Sequence, residues 1–180
     1  MVWLARYVGV LGLSLCADAC VEAHGCTEIG CVDSAGFTLR VAGDEWEAGT
    51  YDLAIEFDET AHSCSFTMPD AIDSASGQGV AIPVACTPQL DAWLNAVTMC
   101  TTHSDGSSSS QTCTPIPGRY YLSVRTSTLA ASLAVSVTLD GADYFSETHA
   151  LTYTASQPNG PDCEPICRNA SVEFFADSPK

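Results

Sequence analysis

Apolar and polar residues alternate along much of this chain, and the clearest case is residues 50–58. Every second residue from Tyr51 to Phe57 is apolar there, and most of the residues between them are acidic. Successive side chains of a β-strand point to opposite faces, so a period of two with one polar face predicts a half-buried antiparallel strand.

The same alternation predicts several further short strands. They cover residues 37–41, 63–68, 80–84, 120–126, 133–139 and 172–174. Asp140-Gly141 follows the strand at 133–139 and precedes the segment at 144–153, which predicts a hairpin. Because turn signals separate the strands and helical periodicity is nearly absent, we predict an all-β fold, an immunoglobulin-like antiparallel β-sandwich with disulfides.

One segment favours a short helix near residues 88–97. Thr87 and Pro88 suit the N-cap and first helical position, and an apolar residue follows at i, i+3, i+4 and i+7 from Leu90. The same run also fits an irregular buried strand.

The first twenty residues indicate export. One arginine, Arg6, precedes an apolar run at 7–15 and then small residues, and this run is about half of the ~20 residues that a spanning helix needs. We therefore predict a signal peptide at 1–19, a tether and N-terminal Cys segment at 20–35, and a single β-sandwich domain at 36–180.

Cysteine parity favours a lipid anchor at Cys20. Cleavage before Cys20 removes Cys16 and leaves eight cysteines besides the lipidated one, an even set, whereas free secretion from Cys20 leaves nine. Neither cysteine follows a well-formed lipobox, because Leu15 is bulky and Asp18 is charged. The expected location is the cell envelope, as an outer membrane-anchored lipoprotein, with free secretion as the alternative.

The eight remaining cysteines are expected to form disulfides, since thiols oxidise outside the cytoplasm. They are Cys26, Cys31, Cys64, Cys86, Cys100, Cys113, Cys163 and Cys167. We expect Cys100 to pair with Cys113 and Cys64 with Cys86. The first two cysteines would then pair with the last two as a terminal clamp, although local pairing within each end is the alternative.

Metal sites are the competing interpretation of some of these residues. The terminal cysteines, or Cys100 and Cys113 with His103, have spacings that could suit zinc, but an oxidising compartment favours disulfides. Acidic residues cluster at Asp44, Glu45 and Glu47 and at Asp140 and Asp143, without the twelve-residue calcium-loop pattern. We therefore predict no metal and no cofactor.

Charge excludes one class of partner. The chain has 22 acidic and 6 basic residues and a net charge of −16, so it repels phosphate backbones and anionic lipid. We expect no nucleic-acid binding, and membrane attachment through the lipid alone.

Catalytic motifs are absent from the sequence. There is no Gly-x-Ser-x-Gly, no His-Glu-x-x-His and no phosphate-binding glycine loop, and the histidines are His24, His62, His103 and His149. We predict no catalytic residue.

Four aromatic residues and one serine-rich segment are the remaining candidate features of the sequence. Tyr120, Tyr121, Trp46 and Trp93 could form a carbohydrate-stacking platform, but we interpret both tryptophans as core. The serine-rich residues 101–112 are interpreted as a mobile surface loop between Cys100 and Cys113.

An ordered set of short motifs gives a resemblance. Cys-Thr-Glu-Ile-Gly-Cys at 26–31, Ala-Gly-Thr-Tyr at 48–51 and Gln-Pro-Asn-Gly-Pro-Asp-Cys at 157–163 resemble a group of uncharacterised exported lipoproteins of the myxobacterial type. The match covers the two ends of the mature chain and its first hairpin. The resemblance implies an envelope location and a β-rich domain, with no activity and no catalytic residue to transfer.

The function expected from the sequence is that of an exported envelope protein with a structural or binding role, no catalysis, and an unidentified envelope or extracellular partner. The alternatives are a secreted hydrolase or protease inhibitor, and a calcium-dependent adhesion module.

Overall fold

The computed structural model describes residues 29–70, 82–104, 106, 108–160 and 162–177, and its regular structure is almost entirely β-strand. One 3₁₀ turn, Ala42–Asp44, follows the first strand. The strands are β1 Ser34–Val41, β2 Gly49–Phe57, β3 Thr60–Met68, β4 Ala85–Cys86, β5 Asp91–Ser104, β6 Ser109–Thr126, β7 Ser132–Leu139, β8 Ala142–Ala150, β9 Thr154–Ser156 and β10 Cys167–Ala176.

The strands form two five-stranded sheets. The first sheet has the order β5-β6-β1-β10-β9 and the second has the order β4-β3-β2-β7-β8. Pairing is antiparallel except between β1 and β10, which run parallel. The all-β, sandwich-like architecture is confirmed, whereas the immunoglobulin-like subtype stays a prediction.

A single apolar core lies between the sheets. The alternating residues of β2 from Tyr51 to Phe57 are buried, as predicted from their period of two. Phe145 of the second sheet meets Phe174 of the first with ring centroids 5.5 Å apart. Burial of the inward face of every central strand is therefore what holds the sheets together.

The hairpin predicted at Asp140-Gly141 is confirmed. Leu139 pairs with Ala142, and the two turn residues have φ of 50° and 81°. Positive φ at both central positions is the signature of the type I′ turn, whose twist matches that of antiparallel strands.

The helix predicted near 88–97 is wrong, because residues 91–104 form β5. Asp91–Ser104 pairs with β6 in antiparallel register, with one bulge between Ala96 and Thr98. A short helix is marginal without tertiary support, whereas β6 satisfies the backbone of this segment and buries Leu94.

The strand predicted at 80–84 is also wrong where it is described. Ile82 makes one isolated bridge to Leu94, and regular pairing begins only at the two-residue β4. Pro83 has no backbone N–H to donate, which disfavours a continuous ladder through this segment.

The serine-rich segment is not a loop, since most of it continues β5 and β6 as a two-stranded ribbon. Residues 98–104 and 109–114, which we call the arm, are exposed throughout. Cys100 and Cys113 lie directly opposite each other in this ribbon and are disulfide-bonded.

Three bridges link pairs of described cysteines: Cys31–Cys167, Cys64–Cys86 and Cys100–Cys113. The predicted pairs Cys64–Cys86 and Cys100–Cys113 are confirmed. Cys31–Cys167 confirms a terminal clamp and not the alternative, in which the cysteines at each end pair with each other. Cys163 is also disulfide-bonded. The predicted signal peptide and Cys16, Cys20 and Cys26 lie outside the described residues. These bridges indicate an oxidising environment, extracellular or in the cell envelope.

Candidate functional site

The outer face of the first sheet consists of the residues that alternate with its buried positions. Asp91 of β5 lies in register with Arg125 of β6, which lies beside Gly36 of β1. One row further along, Trp93 lies in register with Ser123. Side chains in register share a face, so these residues from three strands form one surface.

Two adjoining depressions cross this surface. One has a volume of about 440 Å³ and is lined mainly by hydroxyl, amide and guanidinium groups from β1, β6, β9 and β10. The other, of about 310 Å³, contains Asp91 and Trp93. Both include Ser34, Arg125 and Asn169, so they adjoin along these residues, and we call the two together the Arg125 groove.

Gly36 gives the groove its depth at the centre. A Cβ atom on Gly36 would collide with the carbonyl oxygen of Val124 and lie 3.1 Å from Cγ of Arg125. Every other residue type would therefore press against β6 and fill the floor of the groove.

Arg125 is the described arginine without an ion-pair partner. Arg40 contacts Asp44 at 2.8 Å, whereas no carboxylate oxygen of the described residues lies within 4.0 Å of the Arg125 guanidinium. Arg125 is exposed and faces Asp91 across the strand pair. Its five N–H donors are thus available to a ligand.

The two tryptophans within the described residues, Trp46 and Trp93, have different environments. Trp46 is 8% exposed and donates from Nε1 to the carbonyl oxygen of Tyr120 at 2.8 Å, so its core assignment is confirmed. Trp93 is 48% exposed, so its core assignment is wrong. The strand conformation of β5 turns Leu94 inward and Trp93 outward, whereas a helix would have placed both on one face.

Hydrogen bonds hold one wall of the groove. Ser34 Oγ donates to Asn169 Oδ1 at 2.8 Å, which joins the parallel strands β1 and β10. Asp33 accepts from the backbone and the guanidinium of Arg168 at 2.7 and 3.0 Å. These bonds to Arg168 lower the pKa of the Asp33 carboxyl. The Cys31–Cys167 bridge joins the segment just before β1 to the first residue of β10 and so links the starts of the two strands.

The described histidines lie apart from one another. Nε2 of His149 lies 3.0 Å from Glu147 on β8, and both side chains are nearly half exposed. His62 contacts Thr87 at 3.5 Å, and His103 lies on the arm. They do not converge with the Arg125 groove.

Several acidic residues of the candidate calcium clusters have partners within the protein. Asp44 pairs with Arg40 and Glu45 with Arg119, while Asp140 accepts from the backbone N–H of Thr50 at 2.8 Å. The described residues contain no group of three or more His, Cys, Asp or Glu placed to hold a metal. They also contain no helix long and apolar enough to cross a bilayer.

Comparison with protein-family models, with curated proteins and with solved structures finds no match. The groove is therefore interpreted from its own geometry. Sequence reasoning missed Arg125, Gly36 and Asn169 as site residues. The available signal was the predicted strand at 120–126, in which Arg125 follows the apolar Val124 and so points outward.

Proposed function

We propose that this is an exported protein of the cell envelope, anchored by lipid at Cys20, that binds a ligand on the outer face of its first sheet without catalysing a reaction. The resemblance to exported myxobacterial lipoproteins and the disulfides support the location. The observation that carries the binding role is the Arg125 groove, where an unpaired arginine and a half-exposed tryptophan share one concave surface.

The groove has the properties of a binding site. Its larger part, about 440 Å³, falls within the range of roughly 300 to 1,000 Å³ typical of small-ligand sites. Most of its lining residues lie on strands of the first sheet, which suits recognition, since sites built on strands are more precise than sites on loops. The acidic turns and the separated histidines favour neither a calcium module nor a hydrolase.

The test separates anchoring from binding. The natural chain is expected in the envelope fraction, with an intact mass that includes acyl chains on Cys20. The Cys20→Ser variant, purified without lipid, is expected to co-sediment with washed envelopes of the producing cells.

Variants locate the binding surface in the same assay. Cys20→Ser with Trp93→Ala and Arg125→Ala is expected to stay in the supernatant, whereas Cys20→Ser with Arg119→Ala should sediment like its parent. An unmodified chain in the culture medium contradicts the anchor. Equal sedimentation of all three variants contradicts binding at the Arg125 groove.

A further inference from the structure

We propose that the Arg125 groove binds an uncharged saccharide chain carrying neighbouring hydroxyl groups, with one sugar ring stacked on Trp93. The proposal rests on the proposed function, since it names the ligand class of the same surface.

Trp93 supplies the stacking surface. Its indole is 48% exposed on the outward side of a strand, beside a groove, so one part of the ring is accessible to a ligand. The face of an aromatic ring carries partial negative charge, and the C–H bonds on the apolar side of a sugar ring carry partial positive charge. Stacking also removes apolar surface of both partners from water.

The groups around Trp93 match hydroxyl chemistry. Arg125 can only donate hydrogen bonds, the ionised carboxylate of Asp91 can only accept them, and the Asn169 amide does both. All three line the same part of the groove as Trp93. A sugar hydroxyl both donates and accepts, so a pair of neighbouring hydroxyls can satisfy Arg125 and Asp91 together.

Charge favours an uncharged ligand over an acidic one. Asp91 lies in register with Arg125 and offsets its positive charge locally, and the whole chain has a net charge of −16. A polyanion would be repelled by both, whereas a neutral saccharide meets no such barrier.

The length of the groove favours a chain over a single sugar. The two adjoining depressions together extend from Trp93 on β5 to Thr154 on β9, which is the full width of the first sheet. Neighbouring strands lie about 4.8 Å apart, so four spacings give a length of about 19 Å. The floor is open at Gly36, halfway along this path.

The direct experiment is affinity electrophoresis of the unlipidated Cys20→Ser protein in gels containing a single polysaccharide. The neutral probes are a β-1,4-glucan, dextran and a galactomannan, and the acidic probes are alginate and polygalacturonate. Retardation by at least one neutral probe is expected, with a change in tryptophan fluorescence on titration. Binding confined to the acidic probes overturns the proposal.

Variants test the named residues. Trp93→Ala and Arg125→Ala are each expected to weaken binding about tenfold or more, while Trp93→Phe keeps part of the affinity. Phe175→Ala is the matched control, because Phe175 is exposed on the same face and lines neither depression. Thermal melting curves identify any variant that fails to fold. Unchanged affinity in folded Trp93→Ala overturns the proposal.

If none of the probe polysaccharides binds, co-sedimentation with chemically treated envelopes tests whether the ligand is a saccharide. Periodate cleaves neighbouring diols, so envelopes oxidised with periodate and washed should lose co-sedimentation, whereas protease-treated envelopes should keep it. Loss with protease and retention after periodate overturns the saccharide proposal and leaves the proposed function intact. Absence of co-sedimentation with untreated envelopes rejects the proposed function itself.

Discussion

Gly36 links the stability of the fold to the shape of the groove. Its missing side chain lets β1 approach β6 closely, since a Cβ would collide with the carbonyl oxygen of Val124. Gly36→Ala is expected to lower the free energy of unfolding by about 1 to 3 kcal/mol, the usual cost of forcing extra volume into a packed site. Urea denaturation measures this change.

Gly30→Ala is the control for that substitution. A Cβ on Gly30 would meet no heavy atom within 4 Å, so this variant should unfold like the natural protein. If Gly36→Ala is as stable as Gly30→Ala, the close approach of β1 and β6 is not a constraint and the groove floor can adjust.

The local pattern of apolar residues predicts the burial of some single residues and not of others. The alternation around Tyr51 located four core residues, because period two decides which side of a strand is apolar. The same reasoning did not predict that Trp46 is buried and Trp93 exposed. That difference depends on what lies above each ring: Trp46 packs on Tyr51 and Phe66 at 5.0 and 5.3 Å, and Trp93 faces the groove.

At the scale of elements, the arm depends on its own bridge. A two-stranded ribbon is marginally stable in water, and residues 98–104 and 109–114 are exposed and lie outside the core. In the Cys100→Ser/Cys113→Ser variant, amide hydrogen exchange in the arm is expected to accelerate by roughly a hundredfold. This corresponds to the loss of about 3 kcal/mol of chain constraint.

Protection of β2 should fall less than protection of the arm in that variant, because β2 is buried in the core whereas the arm is exposed. Cys64→Ser/Cys86→Ser is the matched control, since it also removes a bridge between register partners but leaves the arm intact. Slow exchange in an arm without its bridge would show that the ribbon is held by contacts other than the disulfide.

The element that sequence reasoning misassigned, β5, is the one for which two periodicities coincide. Leu90, Trp93 and Leu94 fit a helix face, and Ala92 and Leu94 also fit one side of a strand. Pairing with β6 over Asp91–Ala96 selected the strand, and that partner lies more than twenty residues along the chain.

At the scale of the whole molecule, the Cys31–Cys167 clamp joins residues 136 apart in sequence. In the chain-entropy model a disulfide that closes a loop of this length stabilises the folded state by about 4 to 5 kcal/mol. A disulfide that closes a loop as short as the one between Cys100 and Cys113 stabilises it by about 3 kcal/mol. Cys31→Ser/Cys167→Ser is therefore expected to lower the free energy of unfolding more than Cys100→Ser/Cys113→Ser does.

Guanidinium denaturation under oxidising conditions measures both variants. The clamp variant should also lose affinity at the groove, because Ser34 and Asn169 follow the bridged cysteines closely and bond to each other. Equal destabilisation by the two double variants would mean that parallel pairing of β1 and β10 is sufficient to hold the ends of the domain.

Charge is distributed unequally across the molecule. The four arginines within the described residues, Arg40, Arg119, Arg125 and Arg168, all lie on strands of the first sheet. In the described strands the second sheet carries acidic residues without a lysine or arginine. Within the described strands, the first sheet, which carries the groove, therefore holds the arginines of the chain, and the second sheet is the more acidic of the two.

The sequence by itself determined the features that depend on neighbours along the chain. The alternation in β2, β3 and β7, the Asp140-Gly141 turn and the expectation of disulfides all follow from local spacing, turn chemistry and cysteine content. Only the tertiary structure decided the features that depend on partners far apart in sequence. These are the strand state of β5, the exposure of Trp93, and the groove formed where β1, β6 and β10 meet. Local pattern specifies which side of a strand is apolar, but only the register between distant strands determines which outward residues become neighbours.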